Sequence, residues 1–343
     1  MEENQDPEED QELFEHYNIV ADQGQDVVRI DKFLMDRIPN TSRTKIKDAA
    51  LNGNIHVQRL PVKPNYKVKP GDEISIVLPY PQREIELIPQ DIPIEILYED
   101  DTLVIVNKPS DMVVHPGYGN YSGTLVNALV YHFGKLPEAK DGLPLRPGLV
   151  HRLDKNTTGV MVIAKTEKAL THLSKQFFDR TIDRRYIALV WGDLEDPGTI
   201  EGHIGRSLKN RKVMTVFPEG EYGKPAITHY KVLERLNYVT LIECKLETGR
   251  THQIRAHFKH IGHPLFNDPE YGGNKILKGT TFSKYKHFVM NNFNLLPRQA
   301  LHARKLELTH PKTKERLNFE SPLPEDMENV LDRWRKYIST RQD

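Results

Sequence analysis

Apolar positions along the chain change their period several times, and each change marks an element. From Arg29 to Ile38 they recur at helical spacing; the turn Pro39-Asn40-Thr41-Ser42 interrupts, and a second helical stretch runs from Arg43 to Leu51. Asn52-Gly53 stops that helix and opens the strand Ile55-His56-Val57. Pro70-Gly71-Asp72 makes a turn before the alternating run Glu73–Val77. Between Pro79 and Pro93 four prolines (Pro79, Pro81, Pro89, Pro93) fall without any period, which reads as a linker. Beyond it, runs of strand character (Leu103–Val106, Val160–Ala164, Tyr186–Trp191, Val239–Leu246) alternate irregularly with helical ones (Leu125–Phe133, Lys168–Phe178, Thr251–Ile261). That is an α+β pattern rather than a regular βαβ winding. Finally, Pro324–Ile338 sets Met327, Val330, Leu331, Trp334 and Ile338 at helical spacing, with acids early and bases late as the helix dipole favours. This predicts a helix packed on the core. The expected organisation is an acidic disordered leader over 1–26, a small helical and β domain over 27–80, a linker over 81–95, and a larger α+β domain over 96–343.

Composition narrows the class. A length of 343 residues suits two domains, and 38% hydrophobic with 28% charged residues, without an apolar run near the ~20 that a bilayer span needs, excludes a membrane protein. The opening MEENQDPEED lacks the basic start and apolar stretch of a secretory signal. Cys244 stands alone, so neither an internal disulfide nor a thiolate zinc site is expected, and a reducing, cytoplasmic location follows. Equal totals of 48 basic and 48 acidic residues hide an asymmetry, because residues 1–26 hold ten acids and no Lys or Arg. The remainder carries 48 basic against 38 acidic residues, and the segment 27–79 carries ten against five. A solvated leader explains the acids most simply; an intramolecular competitor for a polyanion is the alternative.

Several motifs fail on inspection. No phosphate-binding loop of the GxxxxGK[ST] type exists, and Gly117-Tyr118-Gly119 followed by Gly123 misses the dinucleotide spacing, so no nucleotide cofactor is expected. Asn120 stands where a nucleophile elbow around Ser122 needs glycine. His257, His260 and His263, with Asp268, imitate a metal site, but steps of three drift around a helix and Gly262 is expected to end it before His263. Two segments resist explanation as packing. In Gly148–Gly159 the polar loop His151-Arg152-Leu153-Asp154-Lys155 precedes the apolar strand Val160–Ala164, and a carboxylate flanked by Arg152 and Lys155 is a candidate for a poised charge. In Leu246–Phe258, Thr251 is the expected N-cap, Ile254, Phe258 and Ile261 the buried stripe, and His252, Arg255 and Lys259 the opposite face.

The spaced motifs resemble a known family. His151-Arg152-Leu153-Asp154 with Thr157-Thr158-Gly159, Arg184-Arg185-Tyr186 through Gly192, Gly249–Phe258, Gly262–Gly272 and Leu301-His302-Ala303 through Pro311 resemble the RluA-type pseudouridine synthases, over roughly residues 95–320. The segment 27–80, with Arg29-x-Asp31-x-x-Leu34, Ser42-Arg43, Asn52-Gly53-x-Ile55-x-Val57 and Pro70-Gly71-Asp72, resembles the S-four-type RNA-binding domain, as in the RluC/RluD branch. Asn156 and Thr158 depart from the family's usual Asp and Ser.

The resemblance implies a catalytic domain with a mixed, mainly antiparallel central sheet, preceded by the small RNA-binding domain. It implies isomerisation of uridines, with large-subunit (23S) ribosomal RNA as the expected substrate. Asp154 would be the catalytic residue, acting as a nucleophile at sugar or base or as the base that removes a ribose proton. Arg152 would occupy the space left by the flipped base, Tyr186 would stack on the uracil, and Arg255 would pair with Asp154. Arg43, Lys45 and Lys47 would contact RNA. The reaction needs no cofactor and no metal, and a monomer is the default. Two other readings predict different behaviour: an RNA-binding assembly protein would ignore loss of Asp154, and a metal-dependent nuclease built on His257–His263 would be stopped by a chelator.

Overall fold

The computed structural model describes residues 14–38, 41–78, 87–117, 119–138, 146–195, 197–208, 210 and 213–340. These fall into two units, 14–78 and 87–340.

The smaller unit contains β1 (Phe14–Val20), β2 (Val28–Arg29), α1 (Ile30–Met35), α2 (Arg43–Leu51), β3 (Ile55–Val57), β4 (Leu60–Pro61), β5 (Lys67–Val68) and β6 (Glu73–Leu78). The strand order is β1-β6-β3-β4, with β2 and β5 paired separately. Ser42 caps α2 by accepting a hydrogen bond from the Lys45 N–H, and Ile46 and Ala50 face Phe33, Leu34, Ile55 and Ile74. Asp31 is buried between Arg29 and Arg43, both 3.0 Å away. Burial disfavours its charge, but the two arginine hydrogen bonds outweigh that and hold the carboxyl below its usual range. Arg43 therefore also has a structural partner. The expected leader needs correcting from residue 14 onward: β1 pairs antiparallel with β6, Tyr17 and Ile19 pack on the core, and Ala21 is buried. Seven of the ten acids lie at or before Glu12, so averaging charge over 26 residues concealed the apolar positions behind them. Residues 1–13 lie outside the described residues.

The larger unit contains β7 (Glu95–Glu99), β8 (Leu103–Lys108), α3 (Leu125–Phe133), β9 (Thr158–Ala164), α4 (Glu167–Phe178), β10 (Asp183–Trp191), β11 (Gly198–Arg206), β12 (Met214–Phe217), β13 (Lys224–Leu236), β14 (Val239–Leu246), α5 (Gln253–His260), α6 (Ser283–Leu295), β15 (Leu301–Thr309), β16 (Arg316–Glu320) and α7 (Glu325–Ser339). One mixed sheet runs β12-β11-β13-β14-β10-β15-β9-β8-β7, with β16 on β15, and among the described residues only β9 and β15 pair in parallel. Strand β10 shows why the run Tyr186–Trp191 is apolar throughout. Tyr186, Ala188 and Val190 join one core with Leu129, Ile254 and Phe258, while Ile187, Leu189 and Trp191 join another with Val289, Val330 and Trp334. Helices cover both faces, so the period of two carries no polar phase.

The proline-rich stretch is corrected as well. Residues 79–86 lie outside the described residues, but from 87 the chain packs on the larger unit: Asn127 Nδ2 donates to the Ile88 carbonyl, the Gln90 N–H donates to the Asn127 carbonyl, and Ile92 and Ile94 contact the core. The helix α7 buries Met327, Val330, Leu331 and Trp334.

Candidate active site

The loop before β9 is fixed by groups distant in sequence. The Val162 N–H donates to His151 Nε2, and the imidazole stacks on Phe177 at 4.8 Å. Burial and the nearby Arg184 charge push the His151 pKa down to about 3, so this ring is a neutral strut. Leu153 is buried in the core, and the Thr157 N–H closes a turn on the Asp154 carbonyl at 3.1 Å. Two buried cations hold the next carbonyls: Lys108 Nζ donates to Lys155 O at 3.0 Å and Arg298 Nη1 to Asn156 O at 3.1 Å. Lys108 also donates to Pro109 O at 2.7 Å and Met112 O at 2.9 Å, and Arg298 is anchored to Asp326 at 2.7 and 2.8 Å. Burial pulls the Lys108 pKa down to about 7, against the opposing charge of Asp154. After the turn, Thr158 Oγ1 bonds His302 Nδ1 at 2.9 Å, and Gly159 lies with φ +118° where a Cβ would sit 2.2 Å from the Ala303 carbonyl oxygen. Only glycine permits that approach of β9 to β15.

The facing wall is α5. Its expected cap is corrected: the helix begins at Gln253, and the cap position belongs to His252, in the left-handed region at φ 53°. Gln253 Oε1 instead ties the entry, accepting from Thr248 Oγ1 and the Arg250 N–H. At the other end, Gly262 with φ +84° brings the His263 N–H to the Phe258 carbonyl at 2.8 Å, a Schellman closure.

This framing aims Arg255 at three carboxylates. It meets Asp268 at 2.7 and 2.9 Å, Glu270 at 2.5 Å and Asp154 at 3.3 Å, with its guanidinium 4.8 Å from the Tyr271 ring centre. Burial opposes the Arg255 charge, but the Asp268 hydrogen bond and the charges of Asp268, Asp154 and Glu270 hold its pKa above the ordinary value. His252 Nε2 stands 3.9 Å from Asp154 Oδ1, and its Nδ1 contacts the Tyr271 hydroxyl at 3.0 Å. Burial lowers the His252 pKa despite the Asp154 charge.

Asp154, Arg152, Tyr186 and Arg255 line one cavity of about 490 Å³, with Leu153, Leu246, Ile254 and Leu301 as its apolar wall and Arg180, Arg184 and Arg250 among its cations. Tyr186 reaches it from β10 at a shift of register with β15 between Arg185 and Tyr186, which re-aims the side chain. Lys45 and Lys47 are exposed on α2 of the smaller unit, with Arg43. The metal cluster does not assemble: His257 bonds Thr228 Oγ1, His263 bonds the Trp191 carbonyl, Asp268 is held by Arg255, and no group of three such ligands occurs among the described residues. Lys108, Arg298 and Glu270 escaped the sequence reading. Lys108 ends an apolar strand just before Pro109, which was the available signal; nothing local marks Arg298 or Glu270 as partners of the loop.

A carboxylate beside a cation, in a cavity large enough for one nucleoside, is equipped to act on a base withdrawn from its stack. Comparison with known proteins gives the same class. Residues 102–260 match the RNA pseudouridylate synthase family and residues 28–74 the S4 domain. An RNA pseudouridine synthase of Chlorobaculum parvum is 47% identical over 92% of this chain and 96% of its own length. The ribosomal large subunit pseudouridine synthase D of Escherichia coli K12 is 39% identical over 92% of this chain and 93% of its own. Among solved structures, human RNA pseudouridylate synthase domain containing 4 superposes with a TM-score of 0.51 at 26% identity, covering 70% of this chain and 93% of that one. The chain belongs to the RNA pseudouridine synthases, isomerases that convert uridine to pseudouridine in RNA. The expected α+β fold with its small RNA-binding unit is the fold observed. No helix among the described residues is long and apolar enough to cross a membrane.

Proposed function

We propose that this enzyme isomerises uridines of large-subunit ribosomal RNA, with Asp154 as the catalytic carboxylate. The observation that carries the assignment is the Asp154 carboxylate 3.3 Å from Arg255 in the cavity shared with Tyr186. Relatives named for the ribosomal large subunit support the substrate. The reaction breaks the bond from uracil nitrogen to ribose, turns the base, and rejoins the sugar at carbon 5, from which a proton leaves. It moves no electrons to an acceptor and transfers no phosphate, so this chain acts without a cofactor or metal, as a monomer in the cytoplasm where ribosomal RNA is found.

Extracting the base costs a few kcal/mol of stacking and pairing. Arg152, exposed at the cavity mouth, fills the vacated space, and Tyr186 restores a stack on the uracil inside. Arg255 orients the Asp154 carboxylate through its 3.3 Å contact; Asp268 in turn fixes the guanidinium plane. The unit spanning residues 27–80 supplies phosphate contacts through Lys45, Lys47 and the N–H groups of Arg43 not used by Asp31, contacts that hold register without reading sequence.

Tritium release from ribosomal RNA labelled at uracil carbon 5 tests this. Wild type should release it with EDTA present, and Asp154→Asn should bind the RNA yet release none. Full activity of Asp154→Asn would remove Asp154 from the reaction, and activity on transfer RNA alone would reassign the substrate.

A further inference from the structure

The end of α4 forms one wall of the cavity and presents two consecutive phenylalanines in opposite roles. Phe177 turns inward, stacks on His151, and has the Arg184 guanidinium 5.4 Å from its ring centre. Phe178 turns outward and is 86% exposed, the highest value among the exposed large apolar residues described. Isolated exposed apolar residues are ordinary. This one differs in position, because of those residues it alone lines the Asp154 cavity. Arg180, which follows in the left-handed region at φ 58°, and Arg250 line the same cavity. An uncovered aromatic face beside cations is the chemistry that receives an unpaired base and its phosphate.

We infer that Phe178 is a stacking platform for a nucleotide adjoining the target uridine, a second base subsite at the mouth of the cavity. The inference rests on the proposed function, since withdrawal of the target into the cavity breaks its stacks on both neighbours and Arg152 in the vacated space replaces only one of them, leaving the other neighbour without a stacking partner. Once the target has moved, the neighbouring base has one exposed face, and Phe178 offers an aromatic surface of matching polarity without needing to read hydrogen bonds. The subsite thus selects single-stranded or loosened RNA over a closed duplex.

The test is equilibrium binding of a fluorescein-labelled, single-stranded nine-nucleotide RNA with a central uridine, in parallel with tritium-release kinetics on the labelled RNA. Phe178→Ala and Phe178→Leu should each weaken binding roughly 5- to 150-fold, the span of one lost base–aromatic stack, and raise KM while kcat stays within about twofold. Phe178→Trp should match wild type. The inference is overturned if Phe178→Leu binds as wild type does, if the loss falls on kcat alone, or if Phe178→Ala lowers the thermal midpoint, which would make the residue structural. Should wild type bind the oligonucleotide yet release no tritium from any RNA, the proposed function fails, whereas the Phe178 subsite is still judged by the binding series.

Discussion

Replacing Lys108 with Met tests how the loop bearing Asp154 is held. Lys108 is 1% exposed, and its ammonium donates to three carbonyls, Pro109, Met112 and Lys155, at 2.7, 2.9 and 3.0 Å. Leaving those carbonyls unpaired costs about 1–3 kcal/mol each, while removing a buried charge returns several kcal/mol, so the net loss of stability is a few kcal/mol at most. The pH dependence escapes that cancellation. Lys108 drops from 10.5 when unfolded to about 7 in the fold, so between these values the unfolded chain binds the extra proton. Stability from this group is complete above 10.5 and is lost as pH falls towards 7. Between pH 7 and 8.5 wild type should therefore gain roughly 1.5 kcal/mol relative to Lys108→Met, at about 1.36 kcal/mol per unit of full proton difference. The chain's two tryptophans, Trp191 and Trp334, are both buried in the larger unit, so their fluorescence in urea titrations reports its unfolding. Parallel stability curves for the two proteins would refute the argument and show that three carbonyls keep the ammonium charged throughout.

Two further predictions, one substitution and one labelling experiment, follow from the structure. Asp268→Asn removes the bidentate partner of Arg255 from a fully buried position; about 3 kcal/mol should be lost in urea titration, the low end for breaking a buried pair because Asp154 and Glu270 remain, and kcat for tritium release should fall. Unchanged kcat would detach Asp268 from the orientation of Arg255. Cys244 is fully buried with its thiol pKa raised, first by burial and then by Glu243, so a disulfide reagent at pH 8 should label the native protein only at the rate of unfolding and label it at once in urea. Rapid native labelling would contradict the buried position on β14.

What could be read locally was read from periodicity and turn chemistry. The strands containing Leu103–Val106, Val160–Ala164, Tyr186–Trp191 and Val239–Leu246 and the helices α3, α4 and α7 announce themselves because one short window holds the whole pattern. The segments forming β11, β12, β13 and α6 carry no comparable signature. In β13 the alternation of Ile227, His229, Lys231 and Leu233 against Thr228, Tyr230 and Val232 mixes polar and apolar groups on both faces, and pairing with β11 and β14 decides its state. β1 was hidden for a related reason: its residues are stable as a strand only on the edge of β6.

The sequence by itself determined the chemistry available: a carboxylate at Asp154, cations at Arg152 and Arg255, an aromatic at Tyr186, and the periodic faces that oblige the chain to build a two-sided sheet. Tertiary structure decided which of these meet. Asp154 and Arg255 are 101 residues apart and touch because β9 and α5 pack against one core. The clasp of Lys108 and Arg298 on successive carbonyls, the sharing of Arg255 among three carboxylates, and the approach of Gly159 to Ala303 follow from strand order and register. Those depend on contacts summed over the whole core, which no local window contains.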